Sequence, residues 1–192
     1  MKTKATLALI AFGLMSSVAS ADVILCYNTE MNHMGADDST VNACLAGGAG
    51  NISGDATGRR ADPFMTGVGT DYFHITKSDD RNVFYGLSFT QTGSTGTFSI
   101  DPTFWEDWAD AAIGFKFGTG GQPDSWFVYS LIDGVTSGTW DFFNVFGRGG
   151  GLSHINLYAA TKVPEPSALG LFGLGLLVIG MAARRRRARL DG

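Results

Sequence analysis

Residues 22–162 of this 192-residue chain predict an all-β domain, an antiparallel β-sandwich or jelly roll with one short helix. Three observations carry the prediction. Seven short runs between Asp71 and Ala159 are rich in aromatic and β-branched residues, the types that fit a pleated surface. Several of these runs alternate apolar and polar residues with period two, which turns one face of each inward. Clusters of glycine, asparagine, aspartate and serine separate them, as turns between neighbouring strands require. A signal helix before the domain and a single transmembrane helix after it complete three parts, 1–21, 22–162 and 163–192.

The first part follows a fixed order. Lys2 and Lys4 supply positive charge, Ala5 to Met15 (ATLALIAFGLM) is apolar, and Ala19-Ser20-Ala21 closes the segment with small residues at Ala19 and Ala21. That order is the substrate of signal peptidase, so the mature chain is expected to begin at Asp22, outside the cytoplasm. A hydrophobic first helix of the domain is the alternative; the tripartite arrangement argues against it.

The domain opens with the only two cysteines, Cys26 and Cys44. An even number in an exported chain points to a disulfide. Closing about 18 residues adds roughly 3 kcal/mol in the chain-entropy treatment. A thiol nucleophile is the other reading, disfavoured because an oxidising compartment pairs thiols. The stretch between them (YNTEMNHMGADDSTVNA) is polar and poor in aliphatics, and no strand is read there. Gly47 to Asp62 (GGAGNISGDATGRRAD) reads as a mobile loop.

Strands are then expected at Asp71–Lys77, Val83–Thr90, Thr95–Asp101, Ala112–Gly118, Ser125–Ile132, Ser137–Asn144 and Leu152–Ala159. Val83, Tyr85, Leu87 and Phe89 share one face, as do Ile113, Phe115 and Phe117. Ile155 and Leu157 face opposite His154 and Asn156. Between the third and fourth runs, Pro102 to Ala111 (PTFWEDWADA) permits one short turn or helix with Pro102 at its first position. There Trp105 and Trp108, three apart, are placed to cap one end of a sheet.

The third part has its own logic. Ser167 to Ala183 is free of charge over 17 residues, about 25 Å of helix against a hydrocarbon core of about 30 Å. Thinning of the bilayer or snorkelling arginines close that gap. Arg184, Arg185, Arg186 and Arg187 follow and act as a stop-transfer cluster held in the cytoplasm. Just before the apolar run, Pro164 and Pro166 flank Glu165; prolines lack amide donors and favour extended backbone, an open strip for a protease.

This tail resembles the PEP-CTERM sorting signal of Gram-negative bacteria. The resemblance rests on Pro164, Glu165 and Pro166, the single membrane segment and the terminal arginines, about 30 residues of the chain. It implies recognition by exosortase, a membrane protease-transpeptidase, during sorting to the surface. The protein would sit in the inner membrane through its C-terminal helix before processing, then at the cell surface or outside. The match of Asn51-Ile52-Ser53 to a glycosylation acceptor is fortuitous in such a chain. Ser137-Gly138-Thr139-Trp140 followed by Gly151-Leu152-Ser153-His154-Ile155 is also similar to a pattern before the sorting tail of many PEP-CTERM proteins. That likeness supports the β fold and adds no chemistry.

Charge narrows the partners. Residues 22–162 hold 16 acidic against seven basic side chains, a net of −9, more negative than the whole chain at −4. An acidic surface disfavours nucleic acid and anionic lipid. No catalytic residue is assigned. His33, His74 and His154 lie in unrelated contexts, and no Gly-x-Ser-x-Gly stretch is present, so the arrangement that a hydrolytic triad needs is missing from the sequence. No metal site is expected: zinc-helix spacing is lacking, and no cofactor is implied. Calcium is a minor alternative at Asp37-Asp38-Ser39, Asp79-Asp80 or Asp133 to Asp141, although none has the spaced oxygens of an EF-hand loop.

Three function classes remain. The first is a structural or adhesive surface protein, with exopolysaccharide as its surroundings. The second is a carbohydrate-binding module whose platform would be Trp105 and Trp108. The third is a polysaccharide hydrolase drawing a carboxylate pair from Glu106, Asp107 and Asp110. The third is weakest, because catalytic carboxylates converge across a cleft, about 5–10 Å apart, whereas Glu106 and Asp110 would share one helical face.

Overall fold

The computed structural model describes residues 22–145, 147, 150–162 and 176. The signal sequence with Ala19 and Ala21, the strip Pro164-Glu165-Pro166, the C-terminal apolar run apart from Leu176, and Arg184 to Arg187 lie outside the described residues. Among the described residues no helix is long and apolar enough to cross a membrane.

The strands, in chain order, are β1 (Val23–Tyr27), β2 (His33–Asp37), β3 (Val41–Ala49), β4 (Phe73–Lys77), β5 (Ser88–Thr92), β6 (Thr95–Ser99), β7 (Ala111–Gly118), β8 (Ser125–Leu131), β9 (Ser137–Phe143) and β10 (Gly151–Ala159). They make two five-stranded sheets, β1-β2-β9-β6-β5 and β3-β8-β7-β10-β4, and the strand pairs are antiparallel. One helical turn, α1 (Phe104–Asp107), lies between β6 and β7. This is the expected sandwich with its short helix.

Alternation explains the main core. Ile113, Phe115 and Phe117 of β7 project between the sheets and are fully buried. Phe98 of β6 and Trp140 and Phe142 of β9 meet them from the other sheet, with Phe117 stacked on Phe142 at 4.1 Å. Aromatic side chains bury about 150–250 Å² each, and this contact between the layers is what makes two half-apolar sheets stable as a pair.

The two sheets differ on their outer faces. The second is covered by residues 50–72, whose Ile52 and Phe64 are buried against Ala112, Trp126, Val128 and Tyr158. Its central strands are therefore apolar on both sides, and β7 is buried from Ala111 to Phe115 without interruption. Gly114 permits the cover to lie so close: a Cβ there would stand 2.9 Å from Ile52 Cδ1 and 3.0 Å from Tyr158 Cε2. Among the described residues the first sheet has no such cover, and β5, β6 and β9 alternate inward and exposed residues.

The disulfide Cys26–Cys44 forms, joining β1 to β3 with Cα atoms 5.3 Å apart, and so ties one sheet to the other. A polar knot sits nearby: the side-chain amides of buried Asn28 and Asn32 both donate to Ser125 Oγ, at 3.0 and 2.9 Å.

Several expectations need correction. The stretch between the cysteines, residues 27–43, read as polar and without a strand, contains β2 and reaches into β1 and β3. Gly47 to Asp62 is not a mobile loop: Gly47 to Ala49 complete β3, and Ile52 and Asp62 are fully buried. The run Val83–Thr90 is not one strand, because Phe84–Gly86 form a 3-10 turn with Tyr85 at φ 53°. Even so, Val83, Tyr85, Leu87 and Phe89 all pack on the main core. Asn156 and His154, expected opposite a buried face, are buried as well because the cover lies over them.

Candidate functional site

Trp105 and Trp108 enter the site question first. Both are half-buried and pack against the main core. The Trp105 indole N–H donates to the Val135 carbonyl at 2.8 Å. Trp108 pairs with Lys162 in an isolated bridge, and Lys162 Nζ lies 5.2 Å from the centre of its ring. Each indole thus already has a packing role: one holds α1 against the β8–β9 connection, the other holds the chain's exit from the sandwich.

The helical carboxylates do not form the expected face. The helix ends at Asp107 and Trp108 is extended, so Glu106 and Asp110 are not successive turns of one helix. Asp107 instead accepts from the Tyr85 hydroxyl at 2.7 Å; burial, then this bond, raises the Tyr85 pKa.

The histidines divide between the two outer faces. His154 Nε2 lies 2.9 Å from the Ile52 carbonyl beneath the cover. Its neighbours are Asn156, whose amide donates to the Tyr158 hydroxyl at 2.8 Å, and Tyr158, which donates to Asp62 Oδ2 at 2.8 Å. His74 packs edge-on to Tyr158 at 5.7 Å. Burial lowers the pKa of both His74 and His154 and, with Asp62 nearby, raises that of Tyr158. This sealed network fastens the cover; Asp62, Asn156 and Tyr158 are fully buried and have no route to a substrate.

The acidic clusters behave as turns and pairs. Asp37 Oδ1 accepts from the Ser39 amide at 2.8 Å, and the Ser39 bonds lower its pKa. Asp79 pairs with Lys77 at 3.2 Å, and Asp80 accepts from the Lys77 amide at 3.0 Å. Among the described residues no three His, Cys, Asp or Glu are grouped to hold a metal ion.

The open face of the first sheet is the candidate site. Strand register lays its outward residues in rows. One row is Thr139, Thr97 and Thr90; the next is Leu25, Gly35, Asp141, Thr95 and Thr92. A third is Tyr27, His33 and Phe143, with ring centres 4.9 and 4.8 Å apart. Ser137, Ser99 and Ser88 form a fourth beyond the threonines. The threonine and aspartate rows border a groove of about 490 Å³, which also takes in Val23 and Asp37. Neighbouring hydroxyls of β5 and β6 pair at 2.8 Å, Thr90 with Thr97 in the groove lining and Ser88 with Ser99 beyond it. Gly35 lets the Asp141 carboxylate and Val23 lie over the backbone at its centre, where any Cβ would collide with Asp141 Oδ1 and Val23 Cγ1.

Sequence reasoning does not find this face as a site. Alternation in β5 and β6 sets threonines opposite Phe89 and Phe98, a signal present in the residue order itself. The other half stays hidden: β1 is the apolar run VILCY, but β2, HMGAD, carries no strand pattern that would place it between β1 and β9.

Residues 162–187 match the family described as the PEP-CTERM protein-sorting motif. Among curated proteins and among solved structures nothing matches the chain. The matched segment begins at Lys162, the residue that bridges to Trp108, so the described sandwich ends where the matched segment starts.

Proposed function

We propose that this chain, which carries a PEP-CTERM sorting signal and is thereby an exported, exosortase-sorted protein, has a structural or adhesive role at the cell surface or in an exopolysaccharide matrix. The observation that carries the reading is the junction at Lys162, where a disulfide-tied sandwich gives way without a linker to the sorting signal. A domain delivered to the surface in this way works by what its exposed face touches. Signal peptidase removes residues 1–21, the C-terminal helix tethers the chain in the inner membrane, and an exosortase-like membrane protease reads Pro164-Glu165-Pro166.

The reading assigns no catalysis, cofactor or metal. Support comes from the positions of the polar side chains. His33 lies on the open face while His74 and His154 belong to the covered sheet, and of the carboxylates near α1, Asp107 is taken by the Tyr85 hydroxyl while Asp110 lies beyond the helix. Carbohydrate contact is the second reading, favoured by the hydroxyl-lined groove more than by Trp105 and Trp108, whose rings already serve packing.

Mass spectrometry of the protein from its native host tests the first reading. The expected surface form begins at Asp22 and lacks Arg184 to Arg187. A surface form that retains the arginines, or a protein confined to cytosol with reduced thiols, would overturn it.

A further inference from the structure

We infer that the groove on the open face of the first sheet binds a neutral, hydroxyl-rich glycan chain, an inference that rests on the surface-adhesion reading and assigns its contact site. The lining dictates the chemistry of an occupant. Five threonines, at 90, 92, 95, 97 and 139, give hydroxyls that both donate and accept. Asp37 and Asp141 only accept when ionised. The Asp141 backbone pairs with β2 and β6, but its carboxylate makes no hydrogen bond or ion pair to a described residue, although it lies over Gly35 in the groove. A fitting ligand must therefore donate hydrogen bonds to a carboxylate and exchange them in both directions with a hydroxyl array. Sugar hydroxyls do both.

Charge selects further. Among the described residues neither lysine nor arginine lines the groove, so an anionic polymer would bring its charges against two carboxylates without compensation. The apolar residues supply the other half of a sugar's surface. Val23 lines the groove, Leu25 faces Gly35 beside it, and the row Tyr27, His33 and Phe143 stands along one rim. Val23, Leu25, Tyr27 and Phe143 are all about half exposed, a contiguous apolar strip beside polar groups of the kind that marks a binding surface. The rings in that row pack on one another, so they serve as an apolar rim beside the groove and leave hydrogen bonding to the threonines and Asp141.

The test is affinity electrophoresis of the purified exported protein. Native gels would contain dextran, mannan, chitosan, polygalacturonate, or the neutral fraction of the producing cells' own exopolysaccharide. Expected is retardation by at least one neutral polysaccharide. The double variant Thr97→Val, Thr139→Val, which swaps hydroxyls for methyls in one row, should weaken it at least fivefold, and Asp141→Leu similarly. Unfolding temperature and the intact disulfide verify that the variants are folded. Should either fail to fold, Thr92→Val at the groove's margin is read instead, with a smaller loss expected.

Retardation by none of the neutral polymers overturns the inference, as does retardation by chitosan or polygalacturonate alone. Undiminished retardation of the folded variants removes this site while leaving the surface role standing. Failure of the surface role itself would be seen separately, in the cleavage sites and location of the native protein.

Discussion

Replacing Asp62 with alanine probes what fastens the cover to the second sheet. The carboxylate is fully buried. Its Oδ2 accepts from the Gly54 amide and the Tyr158 hydroxyl, both at 2.8 Å, and its Oδ1 from the Phe64 amide at 2.9 Å. A fourth donor, the Met65 amide, is at 3.4 Å, the outer limit for a useful bond. Alanine removes the acceptor and also the cost of burying its charge, so those two terms offset in part. What remains is the penalty for stranded donors. The Phe64 amide and the Tyr158 hydroxyl stay buried, at about 1–3 kcal/mol each. The Gly54 amide is nearer solvent and can take a water.

The expected loss is thus about 4 kcal/mol, centred between those limits. In a domain of this length it lowers the melting temperature by roughly 10–15 °C. Asp62→Asn should fall between. It keeps one oxygen for Phe64 but turns an amide nitrogen toward the Gly54 N–H, so about half the loss is expected. Thermal unfolding by circular dichroism measures the total, and hydrogen exchange over residues 50–72 locates it. If alanine lowers the melting temperature by less than about 3 °C, and exchange in that segment is no faster, Asp62 does not hold the cover.

Two further predictions concern the staple and the buried histidines. Reducing Cys26–Cys44, which closes a separation of 18 residues, should cost about 3 kcal/mol. It should release β1 first, seen as faster exchange at residues 23–27; an unchanged unfolding midpoint under reductant would contradict this. Burial holds His74 and His154 below their ordinary value of 6.5. The unfolded chain therefore takes up protons first as pH falls. Stability is flat above about 6.5 and declines below it, until the folded-state values are passed. Urea midpoints at pH 7.5 and 5.5 should show the decline, and His154→Gln should reduce it. Equal midpoints in the native chain would refute the assignment.

The strands from β4 onward are legible because their side chains carry the signal themselves. Ile113, Phe115 and Phe117 can be buried together only as an extended strand. β2 and β3 are illegible for a physical reason. Their sequences, HMGAD and VNACLAGGA, are rich in alanine and glycine, residues with little strand preference of their own. Distant partners fix them. Gly47 and Gly48 lie where a Cβ would meet the Tyr27 carbonyl oxygen and the Trp126 ring, each at 2.4 Å. Such contacts join positions about 20 and 80 residues apart and leave no local period. The cover escapes notice similarly: its anchors, Ile52, Asp62 and Phe64, are isolated in a polar stretch, and what marks them is the apolar outer face of β7 and β8. The open face is half legible, since the threonines of β5 and β6 alternate visibly, while Asp37 and Tyr27 need β1 and β2 to be placed beside them.

The end of the sandwich also limits where a peptidase can cut. β10 is hydrogen-bonded on both sides, to β7 and β4, and is buried from His154 to Ala159. The chain stays tied beyond it. The Ala160 amide donates to the Asp110 carbonyl at 3.1 Å, the Thr161 carbonyl accepts from the Ala109 amide at 2.8 Å, and Lys162 bridges to Trp108. Cleavage needs extended backbone without partners. Exposing residues 151–159 would require opening a central strand, at a cost near the domain's global stability of about 5–15 kcal/mol. At equilibrium fewer than about one molecule in a thousand would be open. Pro164 is two residues past Lys162, a reach of at most about 7 Å, so an enzyme that cuts at the proposed motif would have to work against the end of the sandwich formed by α1 and β10. The surface form should therefore end at or beyond Lys162 with the sandwich whole. A C-terminus inside residues 151–159, found by mass spectrometry of the native protein, would mean that the last strand is not held as its hydrogen bonds require.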